Sequence, residues 1–103
     1  MGELRDKRAL FTRLIIRLIE RMIADGYTPL IGRDGLTHMK DSLHYDGLAM
    51  DIDLFKGDAY LTGSLDHKPF GEFWESLDVG CRWGGRFTVP DGNHYAMTYQ
   101  GRK

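Results

Sequence analysis

The sequence holds a single cysteine, Cys81, among 103 residues. One thiol cannot close an internal disulfide, so the fold must rest on its packed core, as suits a chain folded in a reducing cytosol. An excess of charge is missing as well. Lys and Arg number 14 and Asp and Glu 15, a formal net charge of −1, with a pI near 6.4. That balance exerts no overall pull toward nucleic acid or an anionic membrane, and no nucleic-acid partner is expected. Long apolar runs are lacking too. Leu14-Ile15-Ile16 is cut by Arg17, which leaves no transmembrane segment and no signal-peptide core. The expectation is a chain made in the cytoplasm, which meets any target outside only after something releases it. There are no repeats, low-complexity segments or linkers. What remains is ordinary for a globular protein: 42% apolar and 28% charged residues, in a length that suits one domain, 1–103, with one core.

Between residues 4 and 24, Phe11, Leu14, Ile15, Leu18, Ile19, Met22 and Ile23 recur at three- and four-residue spacing, which predicts an amphipathic helix stopped by Gly26. Arg5, Arg8, Arg13, Arg17 and Arg21 fall on its other side, as a solvated face or as a surface for an anionic polymer such as a cell-wall glycan. A short strand is expected over 27–31, then a turn over 32–35 and an ambiguous polar stretch over 36–41. After a strand over 48–55, Lys56-Gly57-Asp58 makes a turn, and Tyr60 and Leu61 begin a return strand. Asp66 reads as the cap of a second helix, with Pro69 in its first turn and Phe70, Phe73, Trp74 and Leu77 as an apolar stripe ending near Asp78. Phe87-Thr88-Val89 reads as strand, Pro90-Asp91-Gly92-Asn93 as turn, 94–99 as a last strand, and 100–103 as a frayed tail. Together these elements predict a small α+β domain, with an antiparallel sheet flanked by helices.

The chemistry gathers on the strand over 48–55. Its alternation sends Met50, Ile52 and Leu54 to one side and Ala49, Asp51 and Asp53 to the other. Gly47 allows a sharp turn just before it, so His44 can fold back toward the face that carries Asp51. His94 begins the last strand on its polar or small face. If the two strands are neighbours, His44, Asp51 and His94 form a mixed nitrogen and oxygen triad suited to zinc, with water in the fourth place. Asp91, three residues before His94, is then placed as a general base rather than a ligand. Each of these residues also has a plain reading, as a structural histidine or a turn carboxylate. His38 and His67 show no such pairing and read as surface or structural residues, and Cys81 beside Trp83 reads as a small buried hydrophobe.

Ser42, His44, Gly47, Ala49 and Asp51, then Trp83-Gly84-Gly85, then Asp91, His94 and Tyr95, resemble the signature of the zinc D-Ala-D-Ala carboxypeptidase family, which also contains L-alanyl-D-glutamate endopeptidases of phage endolysins. The stretch from Asp66-His67-Lys68-Pro69 to Trp74-Glu75, ahead of Cys81-Arg82-Trp83, is similar to the phage and prophage branch. The resemblance covers roughly residues 32–99. It implies a Hedgehog/DD-peptidase-like fold, Zn2+ held by His44, Asp51 and His94, and Asp91 as the catalytic carboxylate. It also implies a substrate-binding cation upstream of Ser42, for which Arg33 is the nearest candidate and Lys40 a rival. Ser42 either hydrogen-bonds substrate or caps the turn before His44. The implied substrate is the peptide stem of peptidoglycan, cut at D-Ala-D-Ala or at L-Ala-D-Glu, by an enzyme of phage or prophage endolysin type. Two alternatives are a non-catalytic, metal-stabilised cell-wall-binding module and an interaction domain in which Cys81 closes the metal's fourth position. Nothing in the sequence bears on oligomeric state.

Overall fold

The three- and four-residue spacing of Phe11, Leu14, Ile15, Leu18 and Met22 turns all five to one side of an α-helix, α1 (Glu3–Ala24), where all five are buried. The computed structural model describes residues 2–32, 43 and 46–102. The predicted turn over 32–35, the stretch over 36–41, and Arg33, His38, Lys40, Ser42 and His44 lie outside the described residues, apart from Gly32. Gly26, at φ 91°, ends α1 by adopting a left-handed conformation that a side chain disfavours.

Five strands follow in an antiparallel sheet. They are β1 (Thr28–Ile31), β2 (Ala49–Lys56), β3 (Ala59–Tyr60), β4 (Cys81–Trp83) and β5 (His94–Met97), with helix α2 (Lys68–Leu77) between β3 and β4. The order is β1-β2-β5-β4, and β3 also pairs with β2. Asp51 of β2 faces His94 of β5, while Phe55 and Lys56 of the same strand face Tyr60 and Ala59 of β3. Among the described residues, two α-helices and a five-stranded antiparallel sheet make a small α+β domain, the class expected from the sequence. Among the described residues no helix is long and apolar enough to cross a membrane.

The two layers are joined through aromatic rings. Phe11 of α1 meets Trp74 of α2 edge-on at 5.7 Å, and Trp74 meets Tyr95 of β5 edge-on at 6.3 Å. The Trp74 indole N–H donates to the carbonyls of Ala96 and Arg82, so one side chain ties α2 to both β5 and β4. A buried indole has to find such a partner, because an unmet N–H in the core is costly. Gly71 of α2 has no space for a Cβ, because the Trp83 ring lies against it.

Several expectations are corrected. Phe87-Thr88-Val89 is bend, not strand. The position beside β5 is taken by β4, and Thr88 and Val89 stay exposed, so β-propensity without a neighbouring strand does not make one. Asp66 does not cap α2. Its carboxylate accepts from the Gly63 N–H in a short 3-10 turn, Ser64–His67, that precedes the helix, and Pro69 sits in the first turn of α2 as expected. Ile23 is 58% exposed although Met22 beside it is fully buried, because at about 100° per residue Ile23, like Ile16 seven residues earlier, is turned off the buried stripe. The tail is folded through residue 102: Tyr99 pairs with Arg102, and the Arg102 guanidinium binds the Asp46 carboxylate.

Leu18 is fully buried in this core. Leu18→Ala is expected to destabilise the domain by about 2–5 kcal/mol, whereas Ile23→Ala should change stability by no more than about 0.5 kcal/mol. Urea unfolding midpoints of the two variants check both values.

Candidate metal centre

Directly opposed residues of an antiparallel pair point to the same side of the sheet. The pairing of Asp51 with His94 therefore brings a carboxylate and an imidazole together, with His94 Nδ1 3.4 Å from Asp51 Oδ1. The register is fixed at both ends of the contact. The Ile52 N–H donates to the Asn93 carbonyl at 2.8 Å, and the Met97 N–H donates to the Leu48 carbonyl at 2.9 Å.

Asp91 reaches the same place through the turn before β5. The His94 N–H donates to the Asp91 carbonyl at 3.1 Å, and the Asp91 N–H donates to the Gly84 carbonyl at 2.9 Å. The Trp83 indole N–H holds the next residue of the turn by donating to the Gly92 carbonyl at 2.7 Å. Gly84 packs so closely on the Asp91 backbone and the His94 Cβ that a side chain there would displace both. Gly32 serves Asp51 in the same way: its N–H donates to the Asp51 carbonyl, and a Cβ on it would collide with Asp51. The glycines beside Trp83 and at the end of β1 are thus part of how the acidic residues are set.

Asp51, Asp91 and His94 each offer a ligand atom within 4.8 Å of the other two. Zinc bonds of about 2.0–2.2 Å to oxygen and nitrogen need donors that crowd around one point, and two carboxylates with an imidazole suit a borderline divalent cation. The donor set therefore fits a metal ion. The three differ in exposure: His94 is buried, Asp51 half-buried and Asp91 exposed. The Phe87 ring lies 5.4 Å from the His94 ring and shields it on one side.

Of the residues singled out from the sequence, Asp51, His94 and Asp91 are brought together. His44, Ser42 and Arg33 lie outside the described residues. Cys81 stands apart. It faces Met97, three residue pairs along β5 from His94, and is buried. Burial, with Asp78 adding to it, pushes its thiol up to about 12. Met97 lies on the face of β5 opposite to His94, so Cys81 across from it points away from the cluster, which removes the closed site in which Cys81 supplies the fourth ligand. His67 is structural: it is only 3% exposed, and its Nδ1 lies 2.8 Å from the Tyr95 hydroxyl. Burial lowers its proton affinity, against the opposing pull of Asp66, Asp53 and Asp91.

Sequence reasoning overlooked a polar wall beside this cluster. Asp53 shares the face of Asp51 by strand alternation, and its Oδ1 accepts from the Tyr60 hydroxyl at 3.2 Å and from the Asn93 amide at 3.3 Å. The Gly92 N–H donates to Ser64 Oγ at 3.0 Å. The period-two pattern of β2 already marked Asp53, but its partners are 7 and 40 residues away and carry no signal of their own.

A scan against models of protein families matches none of them, and a search of curated proteins finds no match either.

Two outcomes are expected. The Cys81 thiol should react with a neutral disulfide reagent only as fast as the protein unfolds, so labelling in native buffer should be slow and in denaturant immediate; rapid native labelling would contradict its burial. The depressed proton affinity of His67 has a definite sign. The unfolded chain takes up the proton first, so stability is complete above the ordinary imidazole value of 6.5 and falls as pH drops through it. His67→Gln should therefore show a shallower loss of melting temperature between pH 7.5 and pH 5 than the native chain, as followed by circular dichroism.

Proposed function

We propose that the chain is a zinc metallopeptidase that hydrolyses a peptide bond in the peptidoglycan stem, at D-Ala-D-Ala or at L-Ala-D-Glu. It would be of phage or prophage lysis type and reach the wall after release from the cytoplasm. One observation carries this proposal. Asp51 on β2 and the Asp91–His94 pair on the turn into β5 are distant in sequence, yet the three offer donor atoms within 4.8 Å of one another. Those are three of the positions at which the sequence resembles the zinc carboxypeptidases. His44 is the remaining ligand in this proposal, Arg33 the cation that holds the substrate carbonyl, and Ser42 a hydrogen-bonding residue of the cleft.

The exposures divide the roles. Asp51 and His94, withdrawn from solvent and fixed by strand pairing, suit permanent ligation. Asp91 is open to solvent on a turn, where a carboxylate can exchange protons with water. A zinc ion held by Asp51, His94 and His44 would supply a Lewis acid that acidifies water and polarises the scissile carbonyl. Asp91 takes the proton from the attacking water as the new C–O bond forms. It then gives that proton to the amide nitrogen as the C–N bond breaks, so the carboxylate is restored at the end of each turnover. The guanidinium of Arg33 steadies the charge that builds on the carbonyl oxygen.

Metal content of the purified chain, measured beside the release of new amino groups from purified peptidoglycan, tests the proposal. The native chain should hold one zinc and lose activity with chelator. Asp91→Ala should keep its zinc while turnover falls by about 10²–10⁴, the usual contribution of a positioned acid-base group. His94→Ala should lose both. If Asp91→Ala lost the metal, Asp91 would be a ligand instead. A native chain without zinc would refute the peptidase altogether.

A further inference from the structure

The two partners of β2 leave a gap between them. Along one edge of that strand, β5 pairs with residues 49–51 and β3 with residues 55–56. Beside Asp53, in the interval, a crevice of about 240 Å³ is walled by β3 and the loop after it, and by the turn that carries Asp91. Asp53, Tyr60, Ser64, His67, Asp91 and Asn93 supply its polar lining. Asp91 belongs both to this crevice and to the metal cluster, so a ligand lying in the crevice reaches the reacting bond.

The lining is selective in charge and in hydrogen-bonding sense. Among the described residues it contains two carboxylates and neither lysine nor arginine. Among the described residues both side-chain hydrogen bonds to the Asp53 carboxylate end on Oδ1, and Oδ2 receives none. Ser64 Oγ is held in place by the Gly92 N–H, and Gly92 has no room for a side chain against Ser64. His67 is almost wholly buried and held to Tyr95 through Nδ1, so it forms a fixed part of the wall. A carboxylate ligand would be repelled here. A metal ion would find Asp53 outside any group of three ligand atoms among the described residues. A primary ammonium, with three N–H donors and a positive charge, matches acceptors from Asp53 and Ser64, and the Asp91 carboxylate adds negative charge at the mouth of the crevice.

We infer that this crevice is a subsite for a protonated side-chain amine of the substrate, which in a peptidoglycan stem is the amine of its diamino acid. This rests on the peptidase proposed above for its substrate, but the subsite can be tested without turnover. The zinc-loaded full chain is titrated with Nα-acetyl-lysine amide and, separately, with the same compound acetylated on its side-chain amine, while the backbone amide signals of Gly63, Gly92 and Asn93 are followed by NMR. The free amine should shift these signals saturably and bind about tenfold more tightly than the acetylated probe, as the loss of a charge-assisted contact implies. Asp53→Asn should abolish the preference. Equal affinity for the two probes, or shifts confined to other parts of the chain, would overturn the subsite. The probe pair decides the matter even if Asp53→Asn does not fold. A chain that prefers the amine but releases no amino groups from peptidoglycan keeps the subsite and loses the peptidase. A chain that cleaves peptidoglycan but does not distinguish the probes loses the subsite alone.

Discussion

The pairing of β2 with β5 is the constraint on which the rest depends. Slipping that ladder by one residue would send Asp51 and His94 to opposite sides of the sheet, since side chains alternate along a strand. The register is held by more than the ladder. Ile52 and Leu54 on β2 and Tyr95 and Met97 on β5 are all buried, and a one-residue slip would bring Asp51 or Asp53 into their place. The cost of burying an unpaired carboxylate then works against every wrong register. Hydrophobic packing on one face thus sets the position of the polar groups on the other.

The glycines extend this control to the backbone. Gly84 and Gly32 lie where the chain passes directly over Asp91, His94 and Asp51, and Gly71 lies under the Trp83 ring. Trp83 in turn packs against α2 and anchors the Asp91 turn through the Gly92 carbonyl. Force applied to the turn is therefore resisted by the helix layer, through one indole. A site on a loop is less well fixed than one on a strand, and Trp83 compensates for this.

Most of the fold was legible because its signals are periodic. The stripe of α1, the alternation of β2 and the apolar side of α2 each repeat over several turns or residues, and all three were read with nearly the right limits. Gly47 was also readable, and it does take a left-handed conformation, φ 71°, just before β2. β4 was not readable. Three residues, Cys81-Arg82-Trp83, give no period, and they form strand because β5 offers them a partner. Phe87-Thr88-Val89 has the better composition and no such partner, so pairing in space decided what propensity alone could not. At the site, Asp51, Asp91 and His94 could be found because each has a definite strand or turn position. The contribution of Ser64 and Tyr60 depends on a gap between two partners of one strand, and no local pattern encodes a gap.

The acidic face also carries a cost that bears on its purpose. Asp51 and Asp91 stand beside the His94 imidazole, Asp53 shares the face of Asp51 on β2, and of the three carboxylates only Asp91 is exposed. Like charges held together in a partly desolvated place repel, which lowers the stability of the fold when nothing cationic is near. Threonine or valine at positions 51 and 53 would suit a sheet at least as well. Asn93 and Tyr60 offset part of the repulsion around Asp53, and His94 lies against Asp51, but a cation offsets it far more fully. A domain whose core is otherwise packed with well-matched aromatic and aliphatic groups places three carboxylates where strand pairing, a glycine-backed turn and a polar crevice meet. Sequences that specify a fold depart from stability rules at functional sites, and the proposed binding of positive charge would give this departure its reason.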